Sequence, residues 1–381
     1  MLSLPDSLIV IAGNVALQKS ADTAYPFRQD SNFWYLCGLE EPGFVLVMDT
    51  KKGETMLFIP EQNDYQKEWD GAQELETIKS ISGIKIICER PELSQIIKDA
   101  KKQKLQICCL KPAPEIIEPY GFYSNPARRL AEDEIIKFEP NPKDIRMDIA
   151  RLRQIKQPPE ITALQRAIDI TGATMVDVKK RLAEFKTEKE LERAISSGFF
   201  AYGGDGHGYE PIVASGKNAT ILHYNKSTDI LHNNSLVLLD IGAIHQGYSA
   251  DISRVWAVGR PSSEQVAVYG AVCDLQDKAF SMLGPGVNIR EYQKEMEVQA
   301  FLAIKKLGFS LDVYPHGFSH FLGIDVHDAG DYDAPLIPGS VITVEPGLYL
   351  GQQNVGVRIE DDILITENGI KNLSIAIPRT L

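Results

Sequence analysis

Leu236-Val-Leu-Leu-Asp240-Ile-Gly-Ala-Ile-His-Gln-Gly-Tyr-Ser-Ala-Asp251 sets an acid inside an apolar run, turns at His245-Gln246-Gly247 and returns to a second acid. Two such runs around a glycine-containing turn predict a β-hairpin. With the turn centred between residues 245 and 246, Asp240 is expected directly opposite Asp251, their Cβ atoms about 5 Å apart. Like charges there repel, and Asp is a poor strand residue. The arrangement makes sense with a cation between them. A second stretch repeats the device. In Val341-Ile-Thr-Val-Glu345-Pro-Gly-Leu-Tyr-Leu-Gly-Gln-Gln-Asn-Val-Gly-Val-Arg-Ile-Glu360, a turn near Gln352-Gln353 sets Glu345 against Glu360. Acids at strand ends are often merely solvated, but two facing pairs inside apolar strands point to metal. They could surround one divalent ion, or two ions sharing bridging ligands. A bulge would shift either register by one.

Three of the seven histidines fall in His316-Gly-Phe-Ser-His320-Phe-Leu-Gly-Ile-Asp-Val-His327, just ahead of Glu345. The spacing is not the H-E-x-x-H of a zincin helix. Four carboxylates and one imidazole make an oxygen-rich site suited to Mn²⁺, Co²⁺ or Fe²⁺, with Zn²⁺ also admissible. Two such ions about 3.5–4 Å apart hold a hydroxide at neutral pH and polarise a carbonyl. That is hydrolytic machinery.

Outward from these hairpins the second half repeats itself. A helical stripe of Ile161, Leu164, Ile168, Met175, Val178 and Leu182 is followed by a helix opened by Thr187-x-x-Glu190, then by strand-like runs at 211–214, 235–242 and 248–255. Ser262-x-x-Gln265 and Asn288-x-x-Glu291 open two more helices, and strand-like runs follow at 341–345 and 355–366. Two helices then strands, twice over, predict an internally duplicated α/β domain. The first 140 residues alternate short apolar runs (8–12, 44–48, 55–59, 84–88, 105–110) with helical segments at 92–100 and 125–139, the pattern of a small α/β domain. Prolines at Glu139-Pro-Asn-Pro-Lys143 and Gln157-Pro-Pro159 bracket a boundary near 150, so the domains are expected at 1–150 and 151–381.

Composition removes other classes. The chain has 381 residues, enough for two domains, and 44% of them are hydrophobic. A formal charge of −12 argues against a nucleic-acid or anionic-membrane binder. No apolar run reaches the roughly 18 residues of a spanning helix. The N-terminal run carries Asp6 and no preceding Lys or Arg, so a first strand is expected there and not a signal peptide. Five cysteines without C-x-x-C spacing fit a reduced, cytoplasmic chain.

At these residues the sequence resembles the pita-bread metallopeptidases, and within them the aminopeptidase P (Xaa-Pro aminopeptidase) group. The segments that carry the resemblance are Ile221-Leu-His-Tyr224, Leu239-Asp-Ile-Gly242, Asp251-Ile-Ser-Arg254, His316-Gly-Phe-Ser-His320, Asp325-Val-His-Asp328, Glu345-Pro-Gly-Leu-Tyr349 and Gly356-Val-Arg-Ile-Glu360-Asp-Asp. Tyr25-Pro-Phe-Arg-Gln-Asp-Ser-Asn-Phe-Trp-Tyr35 resembles that group's first domain. The resemblance implies hydrolysis of the Xaa-Pro bond at a peptide N-terminus by a hydroxide bridging two metal ions, most often Mn²⁺. It implies Asp240, Asp251, His320, Glu345 and Glu360 as ligands, with Asp251 and Glu360 bridging. Glu345 would also shuttle the proton, and His327 and His223 would steady the oxyanion. His316, Tyr349 and Arg358 would line the proline side of the pocket and support the ligands. A homodimer or homotetramer is implied too, although Trp69-Asp-Gly-Ala-Gln73 keeps the group's Trp and Gly without its Arg. The alternatives are a prolidase restricted to Xaa-Pro dipeptides, and a metal-free pita-bread binding protein or creatinase-like enzyme. His207, His232 and His245 are read as surface or structural, and Gly203-Gly-Asp-Gly-His-Gly208 as a flexible lip of the cleft.

Overall fold

The computed structural model describes residues 4–113, 117–310 and 314–381. The chain divides into two compact units, Met1–Leu152 and Arg153–Leu381.

The first unit is a six-stranded mixed sheet. Across it run Ile86–Glu89, Glu54–Ile59, Val45–Asp49, Ser7–Ala12, Gln106–Cys109 and Lys143–Asp144. Ser7–Ala12 lies inside, antiparallel to Val45–Asp49 and parallel to Gln106–Cys109. All six of its residues are buried because both sheet faces are covered. Leu8 and Val10 pack with Ile97 and Ile135 on one side, while Ile9 and Ile11 pack with Phe33, Ile78 and Ile149 on the other. The proline-rich stretch at 139–143 does not lead out of the unit. It feeds the edge strand Lys143–Asp144, where a missing N–H is tolerated.

In the second unit Gln157 opens the long helix Pro158–Lys180, prolines filling its first turn, where no N–H is needed. Glu188–Ala201, Ser263–Ser281 and Ile289–Lys306 are the other principal helices. Ser262 and Gln265 form a complete capping box. The box at Thr187 is half formed, since Glu190 accepts from Lys186 N rather than from the cap residue. Each pair of helices precedes a three-stranded antiparallel sheet. The first sheet joins Ile212–Ser215, Ser235–Ile241 and Ile252–Val258, and the second joins Val341–Val344, Asp361–Thr366 and Gly369–Asn372. One core, including Leu236, Leu238, Val272, Met296, Phe321, Ile342 and Ile363, serves both halves. Among the described residues no helix is long and apolar enough to cross a membrane.

Two registers decide the geometry. The first hairpin turns at Gln246-Gly247, both at positive φ (48° and 79°), which matches the twist of its strands. That turn sits one residue later than the sequence suggests. Asp240 therefore faces Ser253, and Asp251 is not directly opposite it. The slip of two positions is even, so both aspartates keep the same face. Gly242 lies where Asp251's cross-strand partner would be, and a Cβ there would meet Ala250 O at 1.8 Å. In the second hairpin, Val344 pairs with Asp361 and Gly347 with Arg358, which leaves Glu345 and Glu360 opposed as expected. The run 355–366 is two strands, not one. It breaks at Ile359–Glu360, across from Pro346, whose nitrogen offers no donor to the ladder.

Candidate active site

Four carboxylates and an imidazole meet where the two hairpins converge. The segment holding His320 runs beside the strand Val341–Val344. Thr343 N donates to His320 O at 2.9 Å, and Glu345 N donates to Phe318 O at 3.0 Å. His320 N in turn donates to Thr343 Oγ1 at 3.2 Å. His320 Nδ1 lies 3.0 Å from Phe321 O, a carbonyl that can only accept, so Nδ1 carries a hydrogen. Nε2 then points into the cluster, 3.4 Å from Asp251 Oδ2 and 3.4 Å from Glu345 Oε1. Asp251, His320 and Glu360 each offer one ligand atom, all within 4.8 Å of one another.

The remaining acids join through a shared frame. Tyr209 OH lies 2.5 Å from Asp240 Oδ1 and 2.6 Å from Asp251 Oδ1, tying the two aspartates together. Arg358 pairs with Asp240, donates from Nε to Ser253 Oγ at 3.0 Å, and donates to Tyr349 OH at 2.9 Å. Ser253 Oγ donates to Glu360 Oε2 at 2.8 Å. His316 Nε2 is 2.8 Å from Tyr349 OH. The rings of His320 and His327 stand 4.1 Å apart, and His327 is exposed. His223 lies on an exposed turn after the short helix Gly216–Thr220, not in a strand.

The electrostatics show how unevenly the cluster is charged. Burial pushes the Glu345 carboxyl up to about 7; His320 opposes the shift, and the Asp251 charge adds to it. Burial also drives Glu360 well above the carboxylate range, reinforced by Asp251, Glu345 and Asp240. Burial would discharge His320, but its hydrogen bond to Asp251 and the charge of Glu345 hold it up to about 9. Burial and the Arg358 charge push His316 down to about 3, so its 3.6 Å contact with Glu345 is not an ion pair. Packing against the His320 ring strips water from one side of the otherwise exposed His327, and this with the charge of His320 lowers it to about 4. Four carboxylates thus share one guanidinium and one imidazole. Such a set takes up either protons or a hard cation. The donor chemistry fits divalent metal.

Sequence reasoning missed Tyr209 and Ser253. The segment 203–208 is no loose lip: Gly206–His207 is a strand paired with Ala243 and Ile244, and it delivers Tyr209 to the two aspartates. Nothing local distinguishes that tyrosine.

The pattern of the Metallopeptidase family M24 matches residues 162–367, more than half of the chain. The chain belongs to this family. Residues 1–108 match the pattern of the Aminopeptidase P, N-terminal domain. The chain is 30% identical over 406 residues to the Xaa-Pro aminopeptidase of Haemophilus influenzae, covering 99% of this chain and 92% of that one. It is 29% identical to human Xaa-Pro aminopeptidase 3, covering 99% and 80% of the two chains. The low-pH form of Escherichia coli aminopeptidase P superposes with a TM-score of 0.84 at 29% identity, covering 99% of this chain and 92% of that chain. The M24 protein described here is a metallopeptidase of the aminopeptidase P type, with an N-terminal α/β domain ahead of a duplicated pita-bread catalytic domain. Its family implies divalent metal ions, and the donor set above suits them.

Proposed function

We propose that this M24 enzyme removes the first residue from peptides with proline at position two, cutting the Xaa-Pro bond. The observation that carries the reading is the converging acid cluster with His320 Nε2 turned into it. Asp240, Asp251, His320, Glu345 and Glu360 would hold two divalent ions, Mn²⁺ before Co²⁺, Fe²⁺ or Zn²⁺, with Asp251 and Glu360 shared between them. Ions held there supply an acidified water and a polarised carbonyl. Glu345 would take a proton from the attacking water and return it to the leaving proline nitrogen. His327 and His223 donate to the carbonyl oxygen as it becomes anionic. The neutral His316, with Tyr349 and Arg358, borders the proline ring and braces Asp240. Aminopeptidase names among the relatives favour longer peptides over the dipeptides of a prolidase.

The partner we assign is a peptide, not nucleic acid or membrane, in keeping with the charge of −12. Five free thiols suit the cytoplasm. A homodimer or homotetramer is the expected assembly. Trp69, in the last turn of the helix Asp64–Asp70, is 70% exposed and stacks on Tyr65 at 5.5 Å. A monomer mass in solution at micromolar concentration would refute that assembly.

The deciding assay compares Xaa-Pro with Xaa-Pro-Xaa-Xaa peptides before and after chelation. Turnover should prefer the tetrapeptide, vanish with chelator and return best with Mn²⁺. Activity that survives exhaustive chelation in protein shown to hold no metal would overturn the reading.

A further inference from the structure

Glu188 is wholly buried at the first position of the helix Glu188–Ala201. Among the described residues no cation pairs with it. Five donors replace one. Its Oε1 accepts from Ser215 N at 2.7 Å, Ser215 Oγ at 2.9 Å and Asn218 Nδ2 at 3.0 Å. Its Oε2 accepts from Tyr224 OH at 2.9 Å and Asp229 N at 3.0 Å. Five donors occupy the lone pairs of both carboxylate oxygens, and the positive end of the helix lies beside them.

The donors come from the start, middle and end of one loop. Ser215 closes the strand before it, Asn218 lies in the short helix Gly216–Thr220, and Asp229 sits where the chain returns beside Thr187. Tyr224 is the inward anchor. It accepts from Asn218 Nδ2 at 3.0 Å and from Thr228 N at 3.1 Å while donating to Glu188, so its hydroxyl is fully used. The preceding residue is His223, exposed where Tyr224 is buried. Leu222, its neighbour on the other side, lines one cavity with Tyr349 and Pro315, so the loop brings His223 to the edge of the active site.

We propose that Glu188 is a positioning residue for hydrolysis, its carboxylate clamping the loop 215–229 so that His223 is held over the scissile carbonyl. The inference rests on the role given to His223 above. A Gln here keeps the shape but turns one acceptor into a donor. It would face N–H or O–H groups at whichever end it points, releasing part of the loop. Displacement of a reacting group by about 1 Å costs on the order of 10²-fold in rate.

The test uses the full-length, Mn²⁺-loaded enzyme and an Xaa-Pro-Xaa-Xaa peptide. It reads kcat, bound metal and amide exchange across 216–229 in Glu188→Gln, His223→Ala and the double variant. Glu188→Gln should lower kcat by about 10–10²-fold, leave bound metal unchanged and speed exchange in that loop. The double variant should be no slower than His223→Ala alone. Unchanged exchange in the loop overturns the clamp. So does a Glu188→Gln penalty as large in the His223→Ala background as in the wild type. If His223→Ala turns over at the wild-type rate, the role of His223 falls by itself, and faster exchange in Glu188→Gln still supports the clamp. Tyr224→Phe, which deletes one bond and keeps the ring, serves if Glu188→Gln fails to fold. It should show a smaller loss with the same dependence on His223, and an additive loss would overturn the proposal.

Discussion

Asp328 and Glu360 lie in the same unit and are buried alike, at 5% and 1% exposure, yet the protein handles their charges in opposite ways. Asp328 meets two cations: Lys156 Nζ lies 2.9 Å away, and Arg153 pairs with its other oxygen. Burial would raise its pKa, but Lys156 and Arg153 outweigh that and hold it below the usual range. Among the described residues Glu360 is given a hydrogen bond by a serine hydroxyl and no cation pairs with it, and burial with three neighbouring acids pushes its carboxyl far up. Burial of an acid is therefore not what marks the active site. The mark is a positive charge the chain itself does not supply.

Neutralising each acid breaks or sharpens this contrast most directly. Asp328→Asn leaves Lys156 buried without its carboxylate and Arg153 with Asp325 in place of two acids, and should cost about 3–5 kcal/mol of stability. Glu360→Gln should instead raise the melting temperature of metal-free protein while weakening metal binding. Thermal denaturation of both variants after chelation checks the pair, and equal losses would end the distinction. The two neighbouring histidines, their rings tilted by 44°, form the next test. His327→Ala should keep its metal and lower kcat by about 10²–10³-fold, whereas His320→Ala should lower metal occupancy itself. Elemental analysis beside steady-state rates separates them. Tyr209→Phe removes the hydroxyl joining Asp240 to Asp251 and should weaken metal affinity by about 10–100-fold, read by metal titration.

The smallest effect is the pH dependence of stability without metal. Glu345 rises from 4.5 to about 7 on folding, so the folded state holds a proton that the unfolded chain has released. Stability contributed by this group falls as pH climbs through that window. His320, raised from 6.5 to about 9, continues the decline on the alkaline side. Asp328 has the opposite sign, its contribution lost as pH falls through and below its usual 3.8. Denaturation midpoints across pH, with and without Mn²⁺, should show the alkaline decline flattened by metal and the acid loss untouched.

Much of the site was legible from local pattern. Glu345 and Glu360 interrupt apolar strands around a turn that the glutamines and Asn354 build, and their opposition follows from counting. The count failed by two at Asp240, because the Gln246-Gly247 pair takes both central turn positions. The even error spared the face. Tyr209 and Glu188 gave no such signal. One follows a glycine-rich segment that pairs into a sheet, and the other looks like an ordinary acid in a first helical turn.

By itself, then, the amino-acid order determined which acids interrupt the apolar strands and which hairpins present them, because turn residues and period-two alternation act over a few positions. The tertiary structure alone decided which acids are neutralised and which are not. Arg358 reaches Asp240 across 118 residues, Arg153 reaches Asp328 across 175, and Ser253 reaches Glu360 across 107. Charge balance in a buried site is a sum over whatever packing brings within a few ångströms, and no local spacing contains that sum.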